Sequence, residues 1–244
     1  MNRKLIYDLG LHAGRDSEFY LKKGFNVVAV EANPILANST SERLAEHVGS
    51  GQLTVIEKAI WDKGGEEVTF YVNDEKDDWS SLFRGAAEKG VTSSREIKVQ
   101  TITLAEMYET YGVPYYLKCD LEGGDISVAW QLSAQTERPK YASFEVTSLE
   151  IISALRASGY TRFQLINQAF HYLTKLPNPP MEGEYVDAHF DGYTSGLFGR
   201  ELDFNKWVDF EEVAGQYMDF DKLKRRNEIL AMGWLDVHAT DADG

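Results

Sequence analysis

The chain has 244 residues, of which 25 are lysine or arginine and 39 are aspartate or glutamate, so its formal net charge is −14. This length allows one α/β domain with a substantial core, and the negative charge would repel nucleic acids and anionic membranes at long range. One cysteine, Cys119, excludes an intrachain disulfide and a cysteine-cluster metal site, and because no stretch resembles a signal peptide or a membrane span, we expect a cytoplasmic protein with neither nucleic-acid nor membrane partners.

The first elements along the chain predict a βαβ unit that binds a nucleoside. An apolar strand leads into Asp8-x-Gly10-x-x-x-Gly14, and a second apolar strand ends at Glu31, 31 − 8 = 23 residues after Asp8. Glycines at such a turn let the backbone approach a ligand, and an acid at this offset suits a ribose diol. Alternatively, the glycines only shape a tight turn and Asp8 caps the helix.

The identity of the nucleoside depends on the glycine pattern. A dinucleotide fingerprint that starts at Gly10 would have glycines where His12 and Arg15 stand, so the close approach of a pyrophosphate is missing and NAD or FAD is disfavoured. A P-loop is absent as well. S-Adenosyl-L-methionine has a nucleoside and an amino-acid end but no phosphate, so it suits this looser turn with an acid such as Asp8 nearby.

The remaining elements follow from periodicity, caps and turn residues. We expect helices over residues 17–23 (with Asp16 as N-cap and Gly24 at the end), 34–47 (beginning at Pro34), 104–111 and 149–159 (opened by capping boxes at 103–106 and 147–150), and 211–232. We expect strands over residues 53–61, 68–72 (returning as a hairpin), 97–102, 115–119, 141–146, 160–166 and 234–238. Residues 73–95 are predicted to be a loop insertion and residues 167–210 a substrate-side insertion. The alternation predicts an α/β fold with a doubly wound, Rossmann-like sheet in one domain, residues 1–244.

A second motif follows the strand at residues 115–119. Lys118-Cys119-Asp120-Leu121-Glu122-Gly123-Gly124-Asp125 places three acids where this strand leaves the sheet. If the strand neighbours the first one, Asp120 and Glu122 face the same crevice as Asp8, because ligands bind beyond the carboxyl ends of such strands. Alternatively, Asp120 and Asp125 serve only as turn and N-cap residues. A Mg²⁺ or Ca²⁺ site would need a regular ligand spacing, which the motif lacks, so we predict no metal.

Taken together, the motifs resemble those of FkbM-type methyltransferases, which have the class I S-adenosylmethionine-dependent fold. The motifs that carry the resemblance are Asp8-Leu9-Gly10 with Gly14, Val28-Ala29-Val30-Glu31-Ala32-Asn33-Pro34, Ile102-Thr103-Leu104 and Leu117-Lys118-Cys119-Asp120-Leu121-Glu122-Gly123. The resemblance covers roughly residues 4–166. It implies a seven-stranded sheet, parallel except for its last strand, and O-methylation of hydroxyl groups, often on sugars or secondary metabolites.

The resemblance also implies site residues. It assigns Asp8, Gly10, Gly14 and Glu31 to the cofactor, and Asp120 and Glu122 to the junction of cofactor and substrate. The full cofactor-binding set that we predict is Asp8, Gly10, Ala13, Gly14, Asp16, Glu31, Ala32, Asn33, Ala59 and Asp120.

For catalysis, we predict that Asp120 or Glu122 orients or deprotonates an acceptor hydroxyl and that Lys118 steadies charge, with His12 as the alternative base. The acceptor is expected to be a small molecule or a sugar. The alternatives are a non-catalytic S-adenosylmethionine-binding or regulatory protein and a nicotinamide-dependent oxidoreductase.

Aromatic and histidine residues are frequent in the 167–210 segment. They are expected either to line an acceptor pocket or to supply core, and they are Tyr185, His189, Tyr193, Phe198 and Trp207. His171, His189 and His238 belong to no motif, so we expect each to be solvated or packed.

Overall fold

The computed structural model describes residues 1–90 and 92–241, so Val91, which falls in the predicted 73–95 insertion, and residues 242–244 lie outside the described part. The strands are β1 (Asn2–Leu9), β2 (Asn26–Glu31), β3 (Leu53–Glu57), β4 (Ala59–Ile60), β5 (Glu67–Asn73), β6 (Ser94–Ile102), β7 (Pro114–Cys119), β8 (Tyr141–Glu145), β9 (Arg162–Asn167) and β10 (Leu235–Thr240). The helices are α1 (Arg15–Lys22), α2 (Pro34–Arg43), α3 (Ala45–Gly49), α4 (Arg84–Ala87), α5 (Leu104–Tyr111), α6 (Asp125–Ser133), α7 (Leu149–Ala157) and α8 (Phe210–Arg226).

The main sheet has seven strands in the order β3-β2-β1-β7-β8-β10-β9. β10 runs antiparallel to both of its neighbours, whereas the pairs β1–β2, β1–β7, β2–β3 and β7–β8 are parallel. This arrangement confirms the predicted doubly wound sheet with an antiparallel last strand. The strand order reverses between β1 and β7, so the loops after these strands meet at the edge where such sheets bind ligands.

A second, smaller sheet has the order β4-β6-β5. β5 pairs antiparallel with β6, so the predicted hairpin between residues 53–61 and 68–72 is wrong. The apolar run 53–61 divides after Glu57: its first part joins the main sheet as β3, and Ala59–Ile60 pairs in parallel with β6. Strand pairing is decided by the tertiary partner, which sequence proximity alone does not identify.

The two faces of the main sheet are covered differently. Helices α5 to α8 pack on one face, against residues such as Leu117 and Phe144. α1 and much of the segment between β9 and α8 cover the other face, where Phe198 is fully buried against Tyr116 and Tyr20. This segment has only short 3₁₀ turns as regular structure, in keeping with its lack of sequence periodicity.

The start of α1 departs from the prediction. Its N-cap is Gly14, which has a φ of +67°, and Asp16 lies inside the first turn with a buried side chain. The predicted N-cap role of Asp16 is therefore wrong. Gly24, with a φ of +85°, ends the helix as predicted.

One of the two predicted capping boxes forms. Thr103 accepts a hydrogen bond from the Glu106 backbone N–H, and the Glu106 carboxylate accepts one from the Thr103 N–H. The capping box predicted at 147–150 is wrong, because α7 begins after Ser148, whose side chain makes no cap hydrogen bond.

Other helix extents also differ from the prediction. The expected helix over 34–47 is divided at Leu44 into α2 and α3, and α8 ends at Arg226 rather than continuing to residue 232. α6 is implied in the sequence only by the alternative role of Asp125 as an N-cap, and the predicted loop 73–95 contains α4 and the first residues of β6. Within residues 1–90 and 92–241, no helix has the length and apolar character needed to cross a membrane.

Candidate functional site

A cavity of about 530 Å³ opens at the carboxyl ends of β1, β2, β7 and β8. Its volume lies within the range of pockets that hold small-molecule ligands, roughly 300–1,000 Å³. The predicted site residues that line the cavity are Gly10, His12, Ala13, Asp16, Glu31, Ala32, Ala59, Lys118, Asp120 and Glu122. Three predicted cofactor residues, Asp8, Gly14 and Asn33, lie outside its lining and stabilise the loops behind it.

Glu31 is the buried acid at the tip of β2. Its two carboxylate oxygens accept one hydrogen bond each, from the backbone N–H groups of His12 at 2.7 Å and Asn33 at 2.8 Å. Burial raises the pKa of Glu31, and these two N–H groups oppose that rise. Each oxygen keeps acceptor capacity for one further donor, so the side chain is oriented and able to bind a diol.

Two of the residues behind the cavity act through α2. Gly14 packs against α2, because a Cβ atom on it would lie 2.4 Å from Cγ2 of Thr40. The Asn33 side chain caps the same helix by accepting a hydrogen bond from the Ile35 N–H. Both residues therefore position the loop that carries His12 and the strand end that carries Glu31.

Lys118, near the end of β7, contacts residues of both the loop after β1 and the loop after β7. Its Nζ lies 3.0 Å from the carbonyl oxygen of Gly10, 3.2 Å from Asp8 Oδ1, and 3.8 Å from both Asp16 Oδ2 and Asp120 Oδ2. Burial alone would lower the pKa of Lys118, but the surrounding carboxylates outweigh it and hold that pKa well above its ordinary value. Lys118 is thus a buried ammonium group that holds the turn at Gly10.

Asp16 connects this network to the irregular segment. Its carboxylate accepts hydrogen bonds from the backbone N–H and the hydroxyl of Ser195, both at 2.8 Å. Burial is the main reason that the pKa of Asp16 rises to about 6, although Lys118 opposes the rise. The contact anchors the loop at residues 192–195 to the edge of the cavity.

Asp120 and Glu122 belong to a cluster of acids in the cavity wall. One oxygen from each of Asp120, Glu122 and Glu145 lies within 4.8 Å of the other two. Burial raises the pKa of Glu122 to about 7, while its contact with Lys89 opposes the rise. Burial and then the charge of Asp120 raise the pKa of Glu145 to about 9. At neutral pH the cluster is therefore able both to hold and to release protons.

The third acid of the motif, Asp125, does not line the cavity and instead accepts hydrogen bonds from the turn. Its side chain accepts hydrogen bonds from the backbone N–H groups of Leu121 and Gly123, both at 3.1 Å, and it is fully buried. Burial raises its pKa to about 6. Asp125 thus shapes the turn, as one of the two sequence interpretations proposed, although the N-cap itself is Gly124.

The cavity residues that the sequence prediction missed include two neighbouring acids, Glu145 and Asp236. Glu145 ends β8 and Asp236 lies opposite it in register on β10, and both line the cavity. Burial is the main cause that holds the pKa of Asp236 well above its usual range. A signal for Glu145 was available, since it is an acid at the carboxyl end of the strand that follows β7.

His12 bridges two loops at the cavity. Its Nε2 lies 3.0 Å from Asp77 Oδ1, and its ring stacks on Tyr193 with centroids 6.1 Å apart. His12 and Glu122 have φ values of +47° and +49°, the left-handed conformation that side chains rarely adopt. Such backbone strain concentrates at functional sites, and in this protein both residues line the same cavity.

The aromatic and histidine residues of the 167–210 segment differ in their surroundings, and only some of them have one of the two expected roles. Tyr193 lines the cavity, whereas Phe198 is core and Trp207 packs near Tyr141. Tyr185 and His189 are exposed. His171 and His238 are both buried, as the packed interpretation expects.

Comparison with known proteins identifies related sequences and structures. The sequence profile of the family described as methyltransferase FkbM domain matches residues 8–161. No curated protein sequence matches the chain. Among solved structures, a precorrin-6y C5,15-methyltransferase from Geobacter metallireducens GS-15 is similar at a TM-score of 0.44 and 10% identity, covering 99% of this chain and 82% of that one. A candidate methyltransferase from Thermoplasma acidophilum is similar at 0.43 and 10% identity, covering 99% and 70%.

Proposed function

The chain belongs to the methyltransferase FkbM domain family, and from this premise we propose that it transfers a methyl group from S-adenosyl-L-methionine to a hydroxyl oxygen of a small molecule or sugar. The observation that carries the proposal is one cavity that contains both a buried, oriented Glu31 and the cluster of Asp120, Glu122 and Glu145. Glu31 can bind the ribose hydroxyls of a nucleoside, and the cluster of three carboxylates can orient and deprotonate an acceptor hydroxyl.

The residues at the β2 side of the cavity fit the cofactor. Glu31 has acceptor capacity for the two ribose hydroxyls, because each of its oxygens has only one N–H donor. Ala32, Ala59 and Phe70 provide an apolar wall beside it, which suits the adenine ring. When bound, S-adenosyl-L-methionine supplies an electrophilic methyl group on a sulfonium.

The acid cluster supplies the acid–base chemistry in this proposal. Asp120 or Glu122 orients the acceptor hydroxyl and takes its proton, a role that typically contributes 10²–10⁴ in rate. Lys118 positions the turn at Gly10 and offsets the charge of the acids around it. Proximity and exclusion of water supply the rest of the rate enhancement, because the methyl donor is already activated.

His12 is a less suitable base for geometric reasons. Its Nε2 is paired with Asp77 and its ring stacks on Tyr193, so one ring nitrogen and one ring face already have structural contacts. Its backbone N–H also holds Glu31. These contacts support a role for His12 in shaping the cofactor side.

Ligand-induced stabilisation tests the proposal. S-Adenosylhomocysteine at about 100 times its Kd should stabilise the protein by about 2.7 kcal/mol, which raises Tm by roughly 5–10 °C for a chain of this size, while NAD should leave Tm unchanged. Absence of a shift with S-adenosylhomocysteine would contradict the proposal. A screen of hydroxylated acceptors with a labelled methyl donor then follows, and binding without transfer to any acceptor would favour the non-catalytic alternative.

A further inference from the structure

Three carboxylates cluster at the β7–β8–β10 side of the cavity, and a fourth, Asp236, lies in register beside one of them. Asp120, Glu122 and Glu145 each place one oxygen within 4.8 Å of the other two, and Asp236 faces Glu145 across the β8–β10 pair. All four line the cavity. They come from three different segments, so the cluster is a product of the fold and not of the local motif.

Glu145 and Asp236 have no hydrogen-bond or ion-pair partner among the described residues, in contrast to Asp120 and Glu122, which face Lys118 and Lys89. Within residues 1–90 and 92–241, neither side chain has a hydrogen bond or an ion pair, although Asp236 is only 8% exposed. Every other buried carboxylate in this part of the chain has a donor or a cation. These pairs are Asp8 with Ser17, Asp16 with Ser195, Glu31 with two N–H groups, Asp125 with two N–H groups, Glu182 with Tyr115 and Glu201 with Lys23.

The nearby lysines have other partners. Lys118 contacts Asp8 and the Gly10 carbonyl and lies 3.8 Å from Asp120 Oδ2, and Lys89 pairs with Glu122, so neither ammonium group reaches Glu145 or Asp236 as an ion pair. A buried carboxylate that lacks a partner costs several kcal/mol when it is charged, and a second carboxylate opposite adds to that cost. Bound protons or a bound cation would relieve the negative charge that Lys89 and Lys118 leave uncompensated at Glu145 and Asp236.

We propose that Asp120, Glu122 and Glu145, backed by Asp236, bind a divalent cation of the Mg²⁺ or Mn²⁺ class in the cavity. Carboxylate oxygens alone form the donor set, which is the set these ions prefer. Octahedral ligands at about 2.1 Å stand about 3 Å apart when adjacent and about 4.2 Å apart when opposite. The three oxygens, within 4.8 Å of one another, would therefore move closer together around the ion, which side-chain rotation allows.

The role of the cation in catalysis rests on the proposed function. It would bind the acceptor oxygen and lower the pKa of the hydroxyl, so that the proton passes to a carboxylate of the cluster more easily. A lone pair of the acceptor oxygen then forms the new C–O bond, and the electrons of the breaking C–S bond return to sulfur, which leaves as a neutral thioether. Cation binding itself requires neither the cofactor nor the acceptor.

Electron paramagnetic resonance of Mn²⁺ tests the site without any methyl transfer. After treatment with EDTA and its removal, the full chain should quench the signal of free Mn²⁺ with one site per chain, and excess Mg²⁺ should restore it. Glu145→Gln and Asp236→Asn should each weaken Mn²⁺ binding at least about tenfold. Asp78→Asn removes an acid from the lining of the same cavity but outside the cluster, and it should change the affinity less than twofold.

The outcomes separate this proposal from the proposed function. No binding of Mn²⁺ at millimolar concentration, or equal weakening by all three variants, would overturn the cation site. S-Adenosylhomocysteine stabilisation without Mn²⁺ binding would overturn the cation site alone, whereas Mn²⁺ binding without that stabilisation would overturn the cofactor proposal alone. Thermal unfolding of Glu145→Gln and Asp236→Asn in EDTA shows whether the two variants fold. Removal of an unpartnered buried charge should leave Tm unchanged or raise it.

Discussion

A Cβ atom built on Gly10 would lie 1.8 Å from the carbonyl oxygen of Asp120. The turn after β1 and the turn after β7 therefore touch through their backbones, and the Asp120 N–H donates a hydrogen bond to the Leu9 carbonyl at 2.9 Å. Gly10 also has a φ of +91°. The first glycine of the motif is thus required by close packing of two loops as well as by its backbone conformation.

Gly10→Ala should be strongly destabilising for this reason. The new methyl group meets a backbone atom that cannot rotate away, and the residue is strained at positive φ, so we expect a loss of more than about 2 kcal/mol in the free energy of unfolding. Gly215→Ala in α8 is the matched control, because the new methyl group would have no atom within 4 Å beyond its chain neighbours and the backbone of its own helix. This substitution should be neutral or stabilising by up to about 1 kcal/mol. Urea unfolding of both variants checks this, and equal stabilities would refute the packing argument.

Glu31→Gln should weaken the binding of S-adenosylhomocysteine. The NH₂ group of the glutamine replaces one of the two accepting oxygens, so one of the His12 and Asn33 N–H groups loses its acceptor. Hydrogen bonds from the ribose hydroxyls are then also no longer charge-assisted. Since a hydrogen bond to a charged group contributes about 1.5–3 kcal/mol, we expect at least a tenfold rise in Kd by calorimetry. Glu57→Gln alters the acid in the equivalent register position of β3, outside the cavity, and should bind normally.

Asp120→Asn and Glu122→Gln should slow methyl transfer in single-turnover assays. Loss of the base that takes the acceptor proton should cost about 10²–10⁴ in rate in at least one of the two variants. His12→Asn keeps the backbone N–H to Glu31 and tolerates the left-handed conformation, so its chemical step should stay within a few-fold of wild type. Unchanged rates in both acid variants, together with a slow His12→Asn variant, would transfer the role of base to His12.

The sequence was sufficient to predict the frame of the site because its signals are local. The glycine turn, the strand that ends at Glu31 and the acid motif at Asp120 each lie within a short stretch, and the rule for the carboxyl ends of parallel strands brings them together. β1 does lie beside β7, which places Gly10 against Asp120 as the crevice argument expects.

What sequence reasoning missed depends on pairing between distant segments. Asp236 lies beside Glu145 only because β10 inserts between β8 and β9, about ninety residues further along the chain. The hairpin prediction failed for the same reason, because β5 pairs with the later strand β6 rather than with the run that precedes it. Asp16 resembles an N-cap in sequence, but its partner is Ser195 in a segment without periodicity.

A pair of substitutions separates core from pocket among the aromatic residues of the 167–210 segment. Phe198 is fully buried and stacks on Tyr116 with centroids 4.7 Å apart, so Phe198→Ala should lower the free energy of unfolding by about 3–5 kcal/mol. Tyr193 is 56% exposed and lines the cavity, so Tyr193→Ala should change stability by less than about 1 kcal/mol but lower kcat/KM for the acceptor. Denaturant unfolding and steady-state kinetics check the two effects, and the reverse pattern would contradict this division.

His238 should make the protein sensitive to acid. It lies in β10 opposite Ser143 and Gln164 and is 2% exposed, and burial lowers its pKa to about 3, well below the value of about 6.5 for an unfolded chain. The folded state therefore binds fewer protons than the unfolded state below pH 6.5, so the stability from neutral His238 is complete above that pH and is lost as the pH falls towards 3. Between pH 7 and pH 5, wild type should lose about 2 kcal/mol more than His238→Gln in the free energy of unfolding. The exposed His189→Gln variant should follow wild type, and parallel stability curves for wild type and His238→Gln would show that His238 is not the group that titrates.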